Sequence, residues 1–270
     1  MVLITGGSGY LGGRIAVHLE RLGYQVRVGK SVESDSKGFP IDFTDDHSIN
    51  SACDGVSSII HLAAMNAQSC DHNPEKALLI NGLGTLKLLK ASKKNRVSKF
   101  LYFSTAHIYG SPLKGEINEE LLPRPLHPYS ITHRVAEDYV MEEACQHGLS
   151  ASVFRLTNAI GSPVTPQANC WMLVANDLCR QAVINNSIKV HSNKFLQRDF
   201  IPISSICSTV NSFLNSNVLD GEIVNLSSGV AITLQSLAVL IADRSEVVLG
   251  FRPHIDFLNN SIETDTKRLI

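Results

Sequence analysis

Over the first 160 residues, short apolar runs alternate with longer stretches whose apolar residues recur at helical spacing. Residues 2–5, 25–28, 57–61, 100–104 and 151–156 read as buried strands. Residues 10–22, 45–52, 74–94 and 129–147 read as the helices between them. Such alternation predicts an α/β fold, a doubly wound parallel sheet covered by helices on both faces. The rhythm changes after Gly161, where Pro163 and Pro166 open a loop, a helix follows at 171–184, and short elements continue. The expected division is 1–160 for the sheet domain and 161–270 for a small mixed lobe with segments returning to the sheet. Residues 265–270 read as the start of a helix, so either that helix is short or the natural chain runs on.

Composition narrows the classes. A net charge of -1 argues against a dedicated nucleic-acid binder, so any anionic ligand must be held by placed cations and helix ends. No apolar stretch approaches the roughly 20 residues needed to cross a bilayer. Met1 leads straight into an apolar strand with no signal-like segment. The six cysteines form no CxxC pair and the ten histidines no HExxH, so no metal site is expected. Free thiols fit a reducing, cytoplasmic setting.

The densest chemical signal is Thr5-Gly6-Gly7-Ser8-Gly9-Tyr10-Leu11-Gly12, directly after the first strand and opening a helix. Gly6, Gly9 and Gly12 supply a tight turn, close approach of backbone to a pyrophosphate, and close packing of helix on strand. The helix end then offers free N–H groups to phosphates. This is a Rossmann dinucleotide fingerprint in its proper context. NAD sites usually carry a carboxylate after the second strand, for the adenosine ribose. Here Lys30 and Ser31 follow it, which favours a 2′-phosphate and therefore NADP over NAD; a solvated loop lysine is the bland alternative. Asp42 could accept from the adenine amino group.

With those residues in view, the chain resembles the extended short-chain dehydrogenase/reductase family, the nucleotide-sugar epimerases, dehydratases and reductases. The match includes residues 5–12, Asp42-Phe43-Thr44-Asp45, His61-Leu62-Ala63-Ala64, Asn81-Gly82-Leu83-Gly84-Thr85 and Phe103-Ser104-Thr105-Ala106-His107-Ile108-Tyr109-Gly110. It continues through Pro128-Tyr129-Ser130, residues 155–161, Arg198-Asp199-Phe200-Ile201 and residues 225–229. The resemblance implies that Tyr10, Leu11, Phe43, Leu62, Ala63, Ala64 and Asn81 join the glycines in holding the cofactor. It also implies that Tyr129 relays a proton to or from the sugar oxygen while hydride moves to or from the nicotinamide.

A phenol of pKa about 10 is a poor base at neutral pH, and a nearby cation lowers it. The family supplies a lysine four residues after the tyrosine, which also bonds the nicotinamide ribose. Here that position is His133. Three readings stand: a substitute that works through its protonation, a slower reaction carried by the cofactor charge and Thr105, or a site that binds dinucleotide without turnover.

Thr105 matches the family's substrate-orienting hydroxyl, and Ser104 beside it is expected to bond backbone. Family dehydratases follow that Thr with Asp-Glu; Ala106-His107 here argues against dehydration. His107 reads equally as an extra acid or base and as a polar residue lining the cleft. Arg198 matches a diphosphate contact and Asn158 a further substrate contact. The helices at 74–94 and 129–147 carry surplus apolar residues, among them Leu78, Leu79, Val135 and Met141, which fits a homodimer. The reading that results is an NADP(H)-dependent reductase of a 4-keto nucleotide-diphosphate sugar. Its alternatives are an epimerase with tightly bound NAD(P), and a weakened NADP-binding regulatory or interaction module.

Overall fold

The computed structural model describes residues 1–110, 113 and 115–259; the helix expected at 265–270 lies outside them. In chain order the first elements are β1 (Val2–Thr5), α1 (Tyr10–Arg21), β2 (Val26–Ser31), β3 (Phe39–Ile41), α2 (Asp46–Cys53) and β4 (Ser58–His61). Then come α3 (Ala67–His72), α4 (Pro74–Ala77), α5 (Gly84–Lys94), β5 (Lys99–Thr105), α6 (Pro128–His147) and β6 (Ser150–Leu156). The remainder is β7 (Asn158–Ile160), α7 (Val174–Asn185), β8 (Ser187–Val190), β9 (Gln197–Pro202), α8 (Ile203–Asn215) and β10 (Ile223–Leu226). It ends with β11 (Ala231–Thr233), α9 (Leu234–Leu249) and β12 (His254–Phe257).

The chain forms two compact units. The larger comprises Met1–Thr157, Pro163–Ala168 and Ile203–Leu226. Its seven strands lie in the order β10-β6-β5-β4-β1-β2-β3, every neighbouring pair parallel. Strands sandwiched between two helical layers must be apolar on both faces, and β1 and β4 are buried at every position. On one face Ile49 of α2, Leu88 and Leu89 of α5 and Val140 of α6 pack onto Leu3, Ile59, Phe100 and Val153. On the other, Ile15 and Leu19 of α1 and Val210 and Phe213 of α8 are buried, with Phe213 edge-on to Phe154 at 6.4 Å. The strand order reverses between β1 and β4, so their carboxyl ends flank the crevice where open α/β sheets take ligands.

Two elements depart from the sequence pattern. A three-residue edge strand, β3, extends β2 as far as Ser31; its Pro40 lacks an N–H, which only an edge tolerates. The helix expected over 74–94 is interrupted by a π-helical turn, Leu78–Leu83, between α4 and α5. Widened turns of this kind cluster at functional sites, and this one buries Asn81.

The smaller unit comprises Asn158–Ser162, Asn169–Pro202 and the described residues from Ser227 on. It holds a mixed sheet, β11-β9-β7, and a parallel pair, β12-β8. Leu178 and Ala182 of α7, Phe200 of β9, and Leu234 and Ala238 of α9 share its core. Among the described residues no helix is long and apolar enough to cross a membrane.

Two polar ties cross the larger unit's core. Arg155 on β6 and Glu137 on α6 are both buried, paired through Nε–Oε1 at 3.1 Å and Nη2–Oε2 at 2.8 Å. Arg155 Nη1 also donates to the Tyr109 hydroxyl at 2.8 Å, which in turn donates to Asn225 Oδ1 at 2.8 Å. The second tie is His61, whose Nε2 lies 2.9 Å from Thr85 Oγ1 and whose Nδ1 lies 2.6 Å from Thr5 Oγ1. Thr85 gives its proton to the Asn81 carbonyl at 2.6 Å, so it must accept from Nε2–H, and the Thr5 hydroxyl donates to Nδ1. Burial pushes the His61 pKa down to about 3.

Each tie predicts a measurement. Glu137→Ala strands a buried guanidinium and should lower the unfolding free energy by about 3–5 kcal/mol. The double change Glu137→Leu with Arg155→Met should lose much less, and equal losses in urea melts would refute the pairing argument. Below pH 6.5 the unfolded chain gains a proton on residue 61 that the folded chain refuses, so stability falls with falling pH until about pH 3. Between pH 8 and pH 5 this histidine alone should remove about 2 kcal/mol. Melts of wild type and His61→Asn at both pH values give the slope; the same slope in both would contradict it.

Candidate active site

The crevice is built first by the turn between β1 and α1. Gly6 sits at φ +66, and a Cβ there would lie 3.0 Å from the Ala63 nitrogen. A Cβ on Gly12 would lie 2.3 Å from the Gly6 carbonyl oxygen. Backbone therefore packs on backbone between the glycine turn and the segment after β4, Leu62, Ala63 and Ala64, as only glycine permits. The Thr5 hydroxyl oxygen accepts from the Leu62 and Ala63 N–H groups, at 3.2 Å each, so the His61 tie fixes the same junction. At the start of α1, Gly9 provides no side-chain cap and the first turn, with Tyr10 and Leu11, holds no acid. Its positive end is left to an anion, and a phosphate suits it.

At the carboxyl end of β2, Lys30 Nζ donates to the Ser34 carbonyl at 2.6 Å and Ser31 Oγ accepts from the Glu33 N–H at 3.3 Å. Both residues thus help to close the loop between β2 and β3. Asp42 accepts from the Thr44 N–H at 2.8 Å and hydroxyl at 2.6 Å, and these bonds hold its pKa below the ordinary value. Phe43 is buried, its ring 5.6 Å from that of His61. Asn81 turns inward: Oδ1 accepts from Met65 N–H at 2.8 Å, while Nδ2 donates to Thr132 Oγ1 at 3.0 Å and reaches Cys70 Sγ at 3.6 Å. It ties the segment after β4 to the first turn of α6.

At the carboxyl end of β5 the larger unit brings Thr105, Tyr129 and His133 together. Tyr129 and His133 are one turn apart on α6, their rings edge-on with centroids 4.4 Å apart. Thr105 is near enough to the Tyr129 phenol to act on its pKa, and it caps the short 3₁₀ turn of residues 106–109 by accepting from His107 N–H at 3.2 Å. Tyr129 keeps some solvent-reachable surface, but its phenol is desolvated. That desolvation, with Cys70 nearby, pushes the pKa up to about 12, and Thr105 only partly opposes it. His133 is buried and its pKa falls to about 3. It is a neutral imidazole at any physiological pH, so of the three readings the one that works through protonated His133 has no support here.

Sequence reading missed Tyr102, whose hydroxyl lies 2.6 Å from His133 Nδ1. A tyrosine inside an apolar strand carries no sign of which residue it will meet. His133 Nε2, by contrast, is buried with no hydrogen-bond partner among the described residues. Ser104, expected to bond backbone, instead has a buried hydroxyl with no partner among the described residues. Ala106 is buried and His107 exposed. In the smaller unit, Arg198 lies opposite Ile232 on the β9–β11 pair, and Asn158 Nδ2 donates to the Asp199 carbonyl at 2.8 Å.

The glycine turn, the uncapped helix end and the unpartnered His133 Nε2 fit a dinucleotide, and known proteins agree. GDP-6-deoxy-D-talose 4-dehydrogenase of Aggregatibacter actinomycetemcomitans is 28% identical over 90% of this chain and 80% of its own. GDP-6-deoxy-D-mannose reductase of Pseudomonas aeruginosa is 30% identical over 71% of this chain and 64% of its own. The solved structure of RMD from the same bacterium, complexed with NADPH, superposes with a TM-score of 0.76 at 24% identity, over 97% of this chain and 86% of that one. Residues 2–227 match the sequence model described as the NAD dependent epimerase/dehydratase family. That match spans most of the chain: it belongs to the NAD dependent epimerase/dehydratase family.

Proposed function

We propose that the chain is an NADP(H)-dependent reductase of a 4-keto nucleotide-diphosphate sugar. The observation that carries this is the setting of Tyr129: the ring 4.4 Å from its own is the buried imidazole of His133, no cation stands beside it among the described residues, and desolvation pushes its pKa up to about 12. Such a group is an acid at neutral pH. Reduction of a ketone needs an acid at the nascent alkoxide, whereas epimerisation must begin with a base that takes the alcohol's proton while its hydride passes to an oxidised nicotinamide. Relatives named as a reductase and a 4-dehydrogenase support the direction and the carbon. Ala106-His107 in place of an acid–base pair leaves dehydration without its residues.

In this reading Gly6, Gly9, Tyr10, Leu11 and Gly12 hold the pyrophosphate, and Lys30 with Ser31 the adenosine 2′-phosphate. Asp42 and Phe43 flank the adenine, Leu62, Ala63 and Ala64 line the crevice floor, and Asn81 keeps that floor in place. When bound, the nicotinamide would supply the hydride. Tyr129 gives its proton to the sugar oxygen, Thr105 orients that oxygen through its hydroxyl, and Ala106 and His107 border it. Asn158 and Arg198 are assigned to the nucleotide diphosphate. Leu78, Leu79, Leu83 and Ile131 leave an exposed apolar face on the larger unit, and a homodimer through that face completes the proposal.

The test is NADPH and NADH oxidation across a panel of GDP-, UDP- and dTDP-linked 4-keto-6-deoxysugars, with products identified by NMR. NADPH consumption is expected, and cofactor-neutral interconversion of sugars would mean an epimerase. Tyr129→Phe should lower kcat by about 10² or more. An acid of pKa about 12 stays protonated through neutrality, so kcat/KM should not rise between pH 6 and pH 10. A rise of one decade per pH unit would mark Tyr129 as a base instead. Lys30→Glu should raise the NADPH KM by roughly ten- to a hundredfold and spare NADH.

A further inference from the structure

Tyr102 lies between two imidazoles, its ring 5.5 Å from His61 and 5.7 Å from His133. Both His61 nitrogens are taken by Thr5 and Thr85, so they make no claim on the Tyr102 hydroxyl. Among the described residues that hydroxyl meets one partner, His133 Nδ1 at 2.6 Å. Burial, with Tyr129 and Glu137 near it, drives its pKa well above the ordinary value, so it keeps its proton. One proton therefore lies between two atoms. If Nδ1 carried it, the phenol O–H would be a buried donor with no acceptor, and Nε2 a buried lone pair with no donor. If the phenol donates to Nδ1, only Nε2–H is left over, and it points away from Tyr102, on the helix face shared with Tyr129.

We infer that Tyr102 is a positioning residue that locks His133 as the Nε2–H tautomer, leaving that N–H as a buried donor for a nicotinamide ribose hydroxyl. The inference rests on the dinucleotide reading of the crevice. A lysine at this place would bring its own charge and needs no partner to choose a proton. An imidazole needs one, and Tyr102 is that partner. Among the described residues the groups around His133 are His61 from β4, Tyr102 from β5 and Tyr129 on α6, with Glu137 near Tyr102 and Cys70 of α3 beside Tyr129. None of these is a cation, and Arg155 is paired with Glu137. The donor thus stays neutral and in one tautomer from pH 5 upward.

Long-range ¹H–¹⁵N spectra of histidine-labelled full chain read the tautomer directly. The expected result at pH 5.5–8 is a His133 Nε2–H signal that moves downfield when NADPH is added. In Tyr102→Phe that signal should lose its single-tautomer pattern, and the fluorescence Kd for NADPH should rise about tenfold. In a His133→Gln background the same Tyr102 change should do nothing further, because Tyr102 acts only through His133. An Nδ1–H or imidazolium signal in the wild type overturns the inference, and that spectrum does not depend on any variant folding. A Tyr102→Phe effect of equal size in both backgrounds also overturns it. Absence of binding to NADPH and NADH alike, with the Nε2–H signal present, would sink the dinucleotide reading and leave the Tyr102–His133 lock standing.

Discussion

Helix α6 buries polar groups against a parallel sheet, and each of them has to find a partner there or wait for a ligand. Ser130, Thr132, His133 and Glu137 all lie inside. Ser130 closes a capping box with His127, Thr132 bonds the Tyr129 carbonyl and Asn81, and Glu137 takes Arg155. An unmet buried donor costs about 1–3 kcal/mol, so the two bonds that leave the helix, Thr132 with Asn81 and Glu137 with Arg155, hold α6 in its place. With α6 so placed, Tyr129 stands over the end of β5 beside Thr105. The position of the site follows from satisfying the helix.

The electrostatics follow from the same burial. A lysine beside Tyr129 would bring a charge whose desolvation must be offset; an imidazole escapes that cost by staying neutral. The neutral imidazole then fails to stabilise a phenolate. Tyr129 keeps its proton, and a site of this architecture becomes better at giving protons than at taking them. The histidine at 133, where the family has lysine, looks like damage when read alone but is coherent with the proposed reduction.

Much of this was legible in the residues. Strands buried on both faces carry runs of apolar residues, so β1, β4, β5 and β6 announced themselves, and glycines 6, 9 and 12 marked a turn that the backbone contacts to Ala63 explain. What stayed hidden was pairwise. The three residues of β3 include a proline and carry too little pattern to signal an edge strand. The π-helical turn at 78–83 keeps helical spacing on both sides, and only the inward Asn81 reveals why the register slips. Tyr102 and Arg155 sat in strands as residues of known type and unknown partner. The Tyr102–His133 distance depends on the alignment of β5 under α6, which no local spacing encodes.

His61 sharpens the point. Both buried histidines are driven to about 3 by desolvation, yet their chemistry differs because of their neighbours. His61 has a hydroxyl at each nitrogen and is fully spent, a structural tie between β1, β4 and α5. His133 has a hydroxyl at one nitrogen only. Among the described residues buried side-chain atoms without a partner are few, His133 Nε2 and the Ser104 hydroxyl among them, and such an atom is tolerated when something outside the chain completes it. On the proposed reading, the difference between a strut and a binding residue is one missing partner. His133 Nε2 then ties the glycine turn at the end of β1 to Tyr129 as the proposed acid, because the same ligand would have to meet all three.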